Sequence, residues 1–184
     1  MAGQGDTNYK HPKNVRLRLS LFWVNNYFGD SYQAMIRRTD EMVKEHNLGL
    51  DCWPSVNKDP LTSLDGFDNG RLIETTDYDA LRARADNIVT SRNRAASVIV
   101  IFCNFKDTAN GLNVRGTSAN PMCLISPGLH DGIPLLHELG HAAGMGHDHT
   151  ATDAQNRNFM AEAAPRTRMY QWQIKKLATS FFTL

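Results

Sequence analysis

The sequence contains no run of apolar residues long enough to cross a bilayer, so no membrane span is predicted from it. It also lacks an excess of charge of either sign, with 20 lysines and arginines against 19 aspartates and glutamates and a net charge of +1. A nucleic-acid or anionic membrane partner usually requires a basic excess or a basic run, so neither partner is predicted. Internal repeats and low-complexity segments are absent as well.

Cysteine is scarce, and its spacing is uninformative. Cys52, Cys103 and Cys123 lie far apart and form no C-x-x-C pair, which excludes a disulfide-dense scaffold. We interpret the three as small buried hydrophobic residues. One disulfide with one leftover thiol is the alternative, so the redox compartment stays open.

The first ten residues are polar and contain no apolar core typical of a signal peptide. We interpret residues 1–14 as a flexible leader and residues 15–184 as one domain, because a chain of 184 residues is long enough for one sizeable core and short for two. The sequence leaves the compartment open; we favour a secreted or periplasmic site of action, with the alternative that the chain is a domain of a larger protein. A monomer is the default.

Hydrophobic spacing predicts strands that alternate with helices. Apolar residues alternate with Arg16 and Arg18 in the first strand, which places both arginines on a solvated face, and the continuous apolar run 97–103 is typical of a strand buried on both faces. That first strand covers 15–21, and further strands are predicted at 50–55, 111–117 and 122–126. A loop is predicted at 57–70, and helices at 32–46, 76–91, from 131–134 onward, and at 168–182. We therefore predict an α/β (α+β) fold: a twisted mixed sheet of about five strands, with an active-site helix and a C-terminal helix.

One segment carries recognisable chemistry, HELGHAAGMGHD, which begins at His137. His137 and His141 are four residues apart, so on a helix both imidazoles lie on one face and can share one metal ion. Glu138, beside the first of these ligands, can reach a metal-activated water without binding the metal itself. This arrangement is typical of a catalytic zinc site.

A third ligand requires the helix to end. A straight helix would carry His147 about 9 Å beyond His141 along its axis, which is too far for a shared ion. Gly144 permits the chain to turn back, because glycine adopts a positive φ without a Cβ clash. We therefore predict one Zn²⁺ held by His137, His141 and His147, with a fourth position left for water.

The same segment resembles the metzincin signature H-E-x-x-H-x-x-G-x-x-H, and every specified position is filled. Asp148 after the third histidine, and the order of the elements before it, are similar to the adamalysin branch. The resemblance implies a Met-turn beneath the metal, for which Met160 is the candidate and Met169 the alternative. The tyrosine ligand of some branches is replaced by Glu162, and three cysteines cannot supply the usual adamalysin disulfides, so the resemblance is to the clan and not to one branch.

The resemblance also implies a function, that of a zinc-dependent endopeptidase acting on a protein or peptide. Glu138 would take a proton from the attacking water and pass it to the leaving amine. Residues 161–166 would form the wall of the pocket beyond the scissile bond. An extended substrate would lie along an edge strand. By position, the residues of that strand are Gly111, Leu112, Asn113, Val114, Arg115 and Gly116, with a plain loop as the alternative.

Other functions use the same residues. One is a non-catalytic zinc-binding recognition module, although the intact Glu138 argues against simple loss of activity. Another is a zinc amidohydrolase acting on cell-wall or other amides, or a metzincin-fold toxin or effector domain. Hydrolysis of a generic peptide that is abolished by a chelator and restored by zinc separates a peptidase from a recognition module.

Overall fold

The computed structural model describes residues 6–25, 31–55, 61–64, 66–67, 70–94, 96–106, 111–114, 120–126, 133–148, 158–161 and 167–184. Its elements are β1 (Val15–Trp23), α1 (Ser31–Lys44), β2 (Leu48–Trp53), β3 (Thr62–Ser63), a 3₁₀ turn (Thr75–Asp77), α2 (Tyr78–Ser91), β4 (Val98–Phe102), β5 (Gly111–Val114), β6 (Met122–Ile125), α3 (Pro134–Ala142) and α4 (Gln171–Ala178). Half of the predicted loop 57–70, the residues Arg115 and Gly116, and Glu162 lie outside the described residues.

The strands form one mixed sheet in the order β2-β1-β4-β6-β5, with β3 paired to the end of β1. Every pairing is parallel except that of β5, which runs antiparallel to β6. The predicted mixed sheet is confirmed, and the two-residue strand β3 was not predicted. β5 ends the strand order, so the strand predicted as an edge does lie at the edge.

The core consists of two layers that sandwich the sheet. In β4, Val98, Val100 and Phe102 join a cluster with α1, α3 and α4, whereas Ile99 and Ile101 join a cluster with α2. All five residues of this strand are buried, which confirms the prediction of a strand covered on both faces. The chain is thus a helix–sheet–helix sandwich in which α3 lies on the face shared with α1 and α4.

The predicted solvated face of β1 is wrong at one of its two arginines. Arg16 is exposed, but the side chain of Arg18 is only 22% exposed. The parallel register places Arg18 opposite Asp51 of β2, and its Nε lies 3.8 Å from the Asp51 carboxylate. Arg94 donates from Nη1 to the same carboxylate at 2.8 Å, so the alternation marks a charged interstrand contact as well as solvent.

The edge strand is tied to the opposite layer by a buried arginine. Arg82 of α2 donates from Nη2 to the carbonyl of Val114 at 2.6 Å and from Nη1 to the carbonyl of Asn120 at 3.1 Å. These two carbonyls lie at the end of β5 and just before β6. The guanidinium therefore fixes the position of the hairpin relative to α2.

All three cysteines are free, as interpreted from the sequence. Cys103 and Cys123 are buried and Cys52 is half-buried. Burial raises the pKa of each thiol, that of Cys52 to about 12. Among the residues that the structure describes, no helix combines the length and apolarity needed to span a bilayer.

The first described residues of the chain are anchored to the domain. His46 donates from Nδ1 to the carbonyl of Tyr9 at 2.7 Å, and the amide of Gln171 donates to the carbonyl of Asp6 at 3.1 Å. The division into a leader and a domain stays a prediction, but the described part of the leader is hydrogen-bonded to the fold.

The last helix is shorter than predicted. It covers Gln171–Ala178 instead of 168–182, because Tyr170 is extended and the residues after the helix turn back to β1. There Arg18 donates its amide to the carbonyl of Phe182 at 2.8 Å. Met169, placed by its spacing inside this helix, precedes it.

Candidate metal centre

Three histidine side chains converge at the end of α3. His137 and His141 lie one turn apart on the helix, and their Nε2 atoms are 3.2 Å apart. The Nε2 atom of His147, which follows the helix, lies 3.1 Å from that of His141. One ligand atom from each of the three lies within 4.8 Å of the others, so the structure brings together the residues that the spacing predicted.

The return of the chain uses the glycine that the spacing required. Gly144 has φ +79°, and its amide donates to the carbonyl of His141 at 2.9 Å. The amide of Met145 donates to the carbonyl of Gly140 at 3.0 Å. These two bonds form a Schellman motif, in which a residue in the left-handed region ends the helix and redirects the chain. The reversal carries His147 back beside His141.

Hydrogen bonds at the other ring nitrogens orient two of the imidazoles. His137 donates from Nδ1 to the carbonyl of Phe159 at 2.8 Å, and His141 donates from Nδ1 to the carbonyl of Met145 at 2.9 Å. A carbonyl oxygen only accepts, so each Nδ1 carries a proton and each neutral ring presents a lone pair at Nε2. Two lone pairs at this distance repel unless a cation lies between them, and such carbonyl contacts are typical of metal-binding histidines.

The spacing of the nitrogens fits a transition-metal ion. A tetrahedral zinc ion with Zn–N bonds of 2.0–2.1 Å holds its ligand atoms about 3.3 Å apart, close to the spacing between these Nε2 atoms. An all-imidazole donor set suits zinc and other late transition metals and does not suit Mg²⁺ or Ca²⁺. His137 is buried and His147 is exposed, so the group faces solvent on the His147 side.

Glu138 lies between the helix and the edge strand. Its side chain is buried, with 4% exposure, and it contacts the sheet at Gly111, the first residue of β5. It directly follows His137 on α3, and the grouped ligand atoms are those of the three imidazoles.

Comparison with known proteins supports the architecture and gives no sequence match. No protein-family model matches the chain, and no curated protein matches it in sequence. Among solved structures, the chain is similar to metalloproteinase-II from Bacteroides fragilis, with a TM-score of 0.62 and 11% sequence identity over 94% of this chain. It covers 54% of that protein, or about half its length. The fold is metzincin-like.

In this metzincin-like fold, the segment with Met160 packs directly beneath α3. Phe159 and Met160 are fully buried, and a Cβ built on Gly140 would meet the Met160 sulfur and lie 2.8 Å from a ring carbon of Phe159. The amide of Asp148 donates to the carbonyl of Met160 at 2.9 Å, which ties the segment to the residue after the third histidine. Its designation as a Met-turn stays a prediction.

The side chains that hold this segment in place were not predicted from the sequence. Asn158 and Gln173 of α4 form a reciprocal amide pair, with both N–H···O distances 2.9 Å, and both residues are fully buried. Asn158 also accepts from the amide of Met160 at 2.8 Å, and Gln173 from the amide of Tyr170 at 2.9 Å. No spacing rule links two amides so far apart in sequence.

Gly140 was also missed, although a signal for it exists. A glycine inside a helix costs about 1 kcal/mol relative to alanine, so its presence in α3 indicates close approach by another part of the chain. The structure identifies that part as Phe159 and Met160.

Proposed function

We propose that the chain is a zinc-dependent endopeptidase in which His137, His141 and His147 hold the ion and Glu138 is the general base. The observation that carries this proposal is the convergence of three imidazole nitrogens on one point, with two of the rings oriented by backbone carbonyls. The metzincin-like fold supports it, because His137 and His141 lie on a helix beside an edge strand and the exposed His147 leaves one side of the group open to solvent.

The residues of the chain divide the work of peptide hydrolysis. When bound, zinc supplies a Lewis acid that polarises the substrate carbonyl and brings the pKa of a coordinated water towards neutrality. Glu138 accepts the proton of the attacking water and later donates it to the leaving amine. The carbonyls of Phe159 and Met145 keep His137 and His141 in the tautomer that binds a metal.

The substrate, in this proposal, is an extended peptide that adds itself to the edge of the sheet. The described part of the predicted binding strand, Gly111–Val114, forms β5 at the end of the strand order. A peptide backbone can pair with such an edge without any specific side chain. Arg115, Gly116 and residues 162–166 of the predicted pocket wall 161–166 lie outside the described residues and remain part of the proposal.

The test combines metal content with a peptidase assay. We expect wild-type protein to bind about one zinc ion per chain and to cleave a generic peptide or casein, with activity lost to a chelator and restored by zinc. His147→Ala should lose both zinc and activity. Glu138→Gln should keep zinc and lower kcat by at least about a hundred-fold, since it removes the proton acceptor.

His11→Ala is the matched control, because this histidine lies outside the group and its side chain bonds only to the nearby Lys13 backbone among the described residues. It should keep both zinc and activity. If the wild type binds zinc and cleaves no peptide, the result would favour a recognition module or an enzyme for other amides over a peptidase. Full activity in Glu138→Gln would remove the proposed role of that carboxylate.

A further inference from the structure

Gly111, the first residue of the edge strand, lies against the Glu138 side chain with no space for a side chain of its own. A Cβ built on Gly111 would lie 2.8 Å from Oε1 of Glu138, 2.9 Å from its Cγ and 3.2 Å from its Cδ. The first two distances are shorter than real side chains tolerate, so any residue with a Cβ at this position must displace the carboxylate or the strand. Gly111 does not have a positive φ, so space and not backbone conformation requires the glycine.

The strand side of this contact is held in place. Gly111 is paired with Ile125 of β6, and the far end of its strand is held by Arg82. Glu138 is buried on α3. An added methyl group would therefore have to be absorbed mainly by rotation of the Glu138 side chain.

A buried thiol joins the three elements around Glu138. Cys123 of β6 donates to the backbone carbonyl of Glu138 across 3.7 Å, and Asn113 of β5 donates from Nδ2 to the Cys123 sulfur at 3.4 Å. Burial raises the pKa of the Cys123 thiol, which keeps it protonated and able to donate. Gly111 and Asn113 lie two apart on one face of β5, so this face carries small and polar contacts to α3, whereas Leu112 and Val114 pack towards α2.

We infer that Gly111 is a positioning residue: its missing side chain lets β5 pack at the depth that fixes the direction of the Glu138 carboxylate. The inference rests on the proposed function, in which that carboxylate is the general base. It differs from a role in substrate binding, which would act through the peptide and not through Glu138.

The kinetic test is Gly111→Ala in the zinc-loaded protein. A misplaced base lowers the rate of the chemical step, so kcat should fall about ten- to a hundred-fold. KM and zinc content should change little. Gly49→Ala is the matched control, since Gly49 also lies in a strand, β2, and a Cβ there meets nothing within 4 Å. Its kinetics should match those of the wild type.

The structural test is rescue of stability by truncation of the acid. Glu138→Ala removes Cγ, Cδ and the carboxylate oxygens, which are the atoms that the new methyl group would meet, so the space that it needs becomes free. Gly111→Ala should lower Tm by several degrees in the wild-type background and by much less in the Glu138→Ala background, as measured by thermal unfolding. If Gly111→Ala does not fold, recovery of folded protein in the double variant supports the same contact.

The outcomes separate the inference from the function on which it rests. Equal losses of Tm in both backgrounds, or a double variant that also fails to fold, would overturn the contact. A change confined to KM, or kinetics equal to those of Gly49→Ala, would overturn the positioning role. A zinc-loaded wild type without any hydrolytic activity would overturn the proposed function and the catalytic part of this inference, while the Tm comparison decides the contact independently.

Discussion

Gly144 is the residue on which the third histidine depends. Its φ of +79° lies in the region that residues with a Cβ rarely adopt, although the nearest atom to a Cβ there is 3.9 Å away. The constraint is therefore the backbone conformation and not crowding. Gly144→Ala should cost about 1–2 kcal/mol and lower Tm by about 2–8 °C, as measured by thermal unfolding. Zinc affinity, measured by competition with a chromophoric chelator, should fall with it.

Gly146→Ala separates this effect from a general sensitivity of the loop. Gly146 is not one of the glycines with a positive φ, and a Cβ there meets nothing within 4 Å. Its substitution should leave Tm nearly unchanged. Equal losses in the two variants would mean that the left-handed turn is not what holds the chain reversal.

The glycines also show which residue roles could be predicted from the sequence. The role of Gly144 was predictable, because the distance from His141 to His147 along a straight helix forces a reversal between them. The need for glycine at Gly111 and Gly140 was not, since it arises from Glu138 and Met160, which are remote in sequence and become neighbours only in the fold. A single sequence contains no record of those approaches.

Between elements, the buried amide pair links the last helix to the candidate metal centre. Gln173 of α4 bonds to Asn158, Asn158 holds the amide of Met160, and the carbonyl of Phe159 orients His137. Removing one amide leaves the polar groups of the other buried without their hydrogen-bond partner. Gln173→Ala should therefore cost about 1–3 kcal/mol of unfolding free energy in urea, and it should weaken zinc binding because the support of His137 becomes mobile.

A double-mutant cycle with Asn158→Ala tests whether the two amides act as a unit. The double variant should lose less than the two single losses combined, with a coupling of about 0.5–3 kcal/mol. Gln171→Ala is the matched control, because this glutamine is only half-buried and its hydrogen bond to Asp6 uses the backbone amide. Strict additivity, or unchanged zinc affinity in Gln173→Ala, would contradict the link.

Patterns within one element predicted the strands well and the helix ends poorly. The apolar run of β4 and the alternation in β1 depend on burial alone, which the sequence encodes directly. The end of α4 depends on contacts with β1, and the ion pair of Arg18 depends on its register with Asp51 of β2. Both are decided by tertiary pairing, and periodicity within one segment cannot reveal them.

For the molecule as a whole, the sheet separates α2 from the layer that carries the chemistry. α3 with its histidines, α1 and α4 share one face, and β5 at the edge borders α3. The candidate metal centre is thus assembled from the end of one helix, one edge strand and the segment beneath them. This convergence explains why the three histidines were predictable from one motif, whereas their supports come from distant parts of the chain.

The last residues of the chain complete the layer that supports the centre. Phe182 is fully buried in the cluster shared with α3 and α4, and Leu184 exchanges backbone hydrogen bonds with Arg16 of β1 at 2.9 and 3.3 Å. Phe182→Ala should cost about 3–5 kcal/mol of unfolding free energy in urea, because it opens a cavity under α4. Phe181→Ala is the neighbouring control: this ring is 49% exposed and contacts the Phe182 ring edge-to-face, so its loss should cost about 1 kcal/mol. Similar losses for both phenylalanines would mean that the pairing with β1, and not the buried ring, anchors this end of the chain.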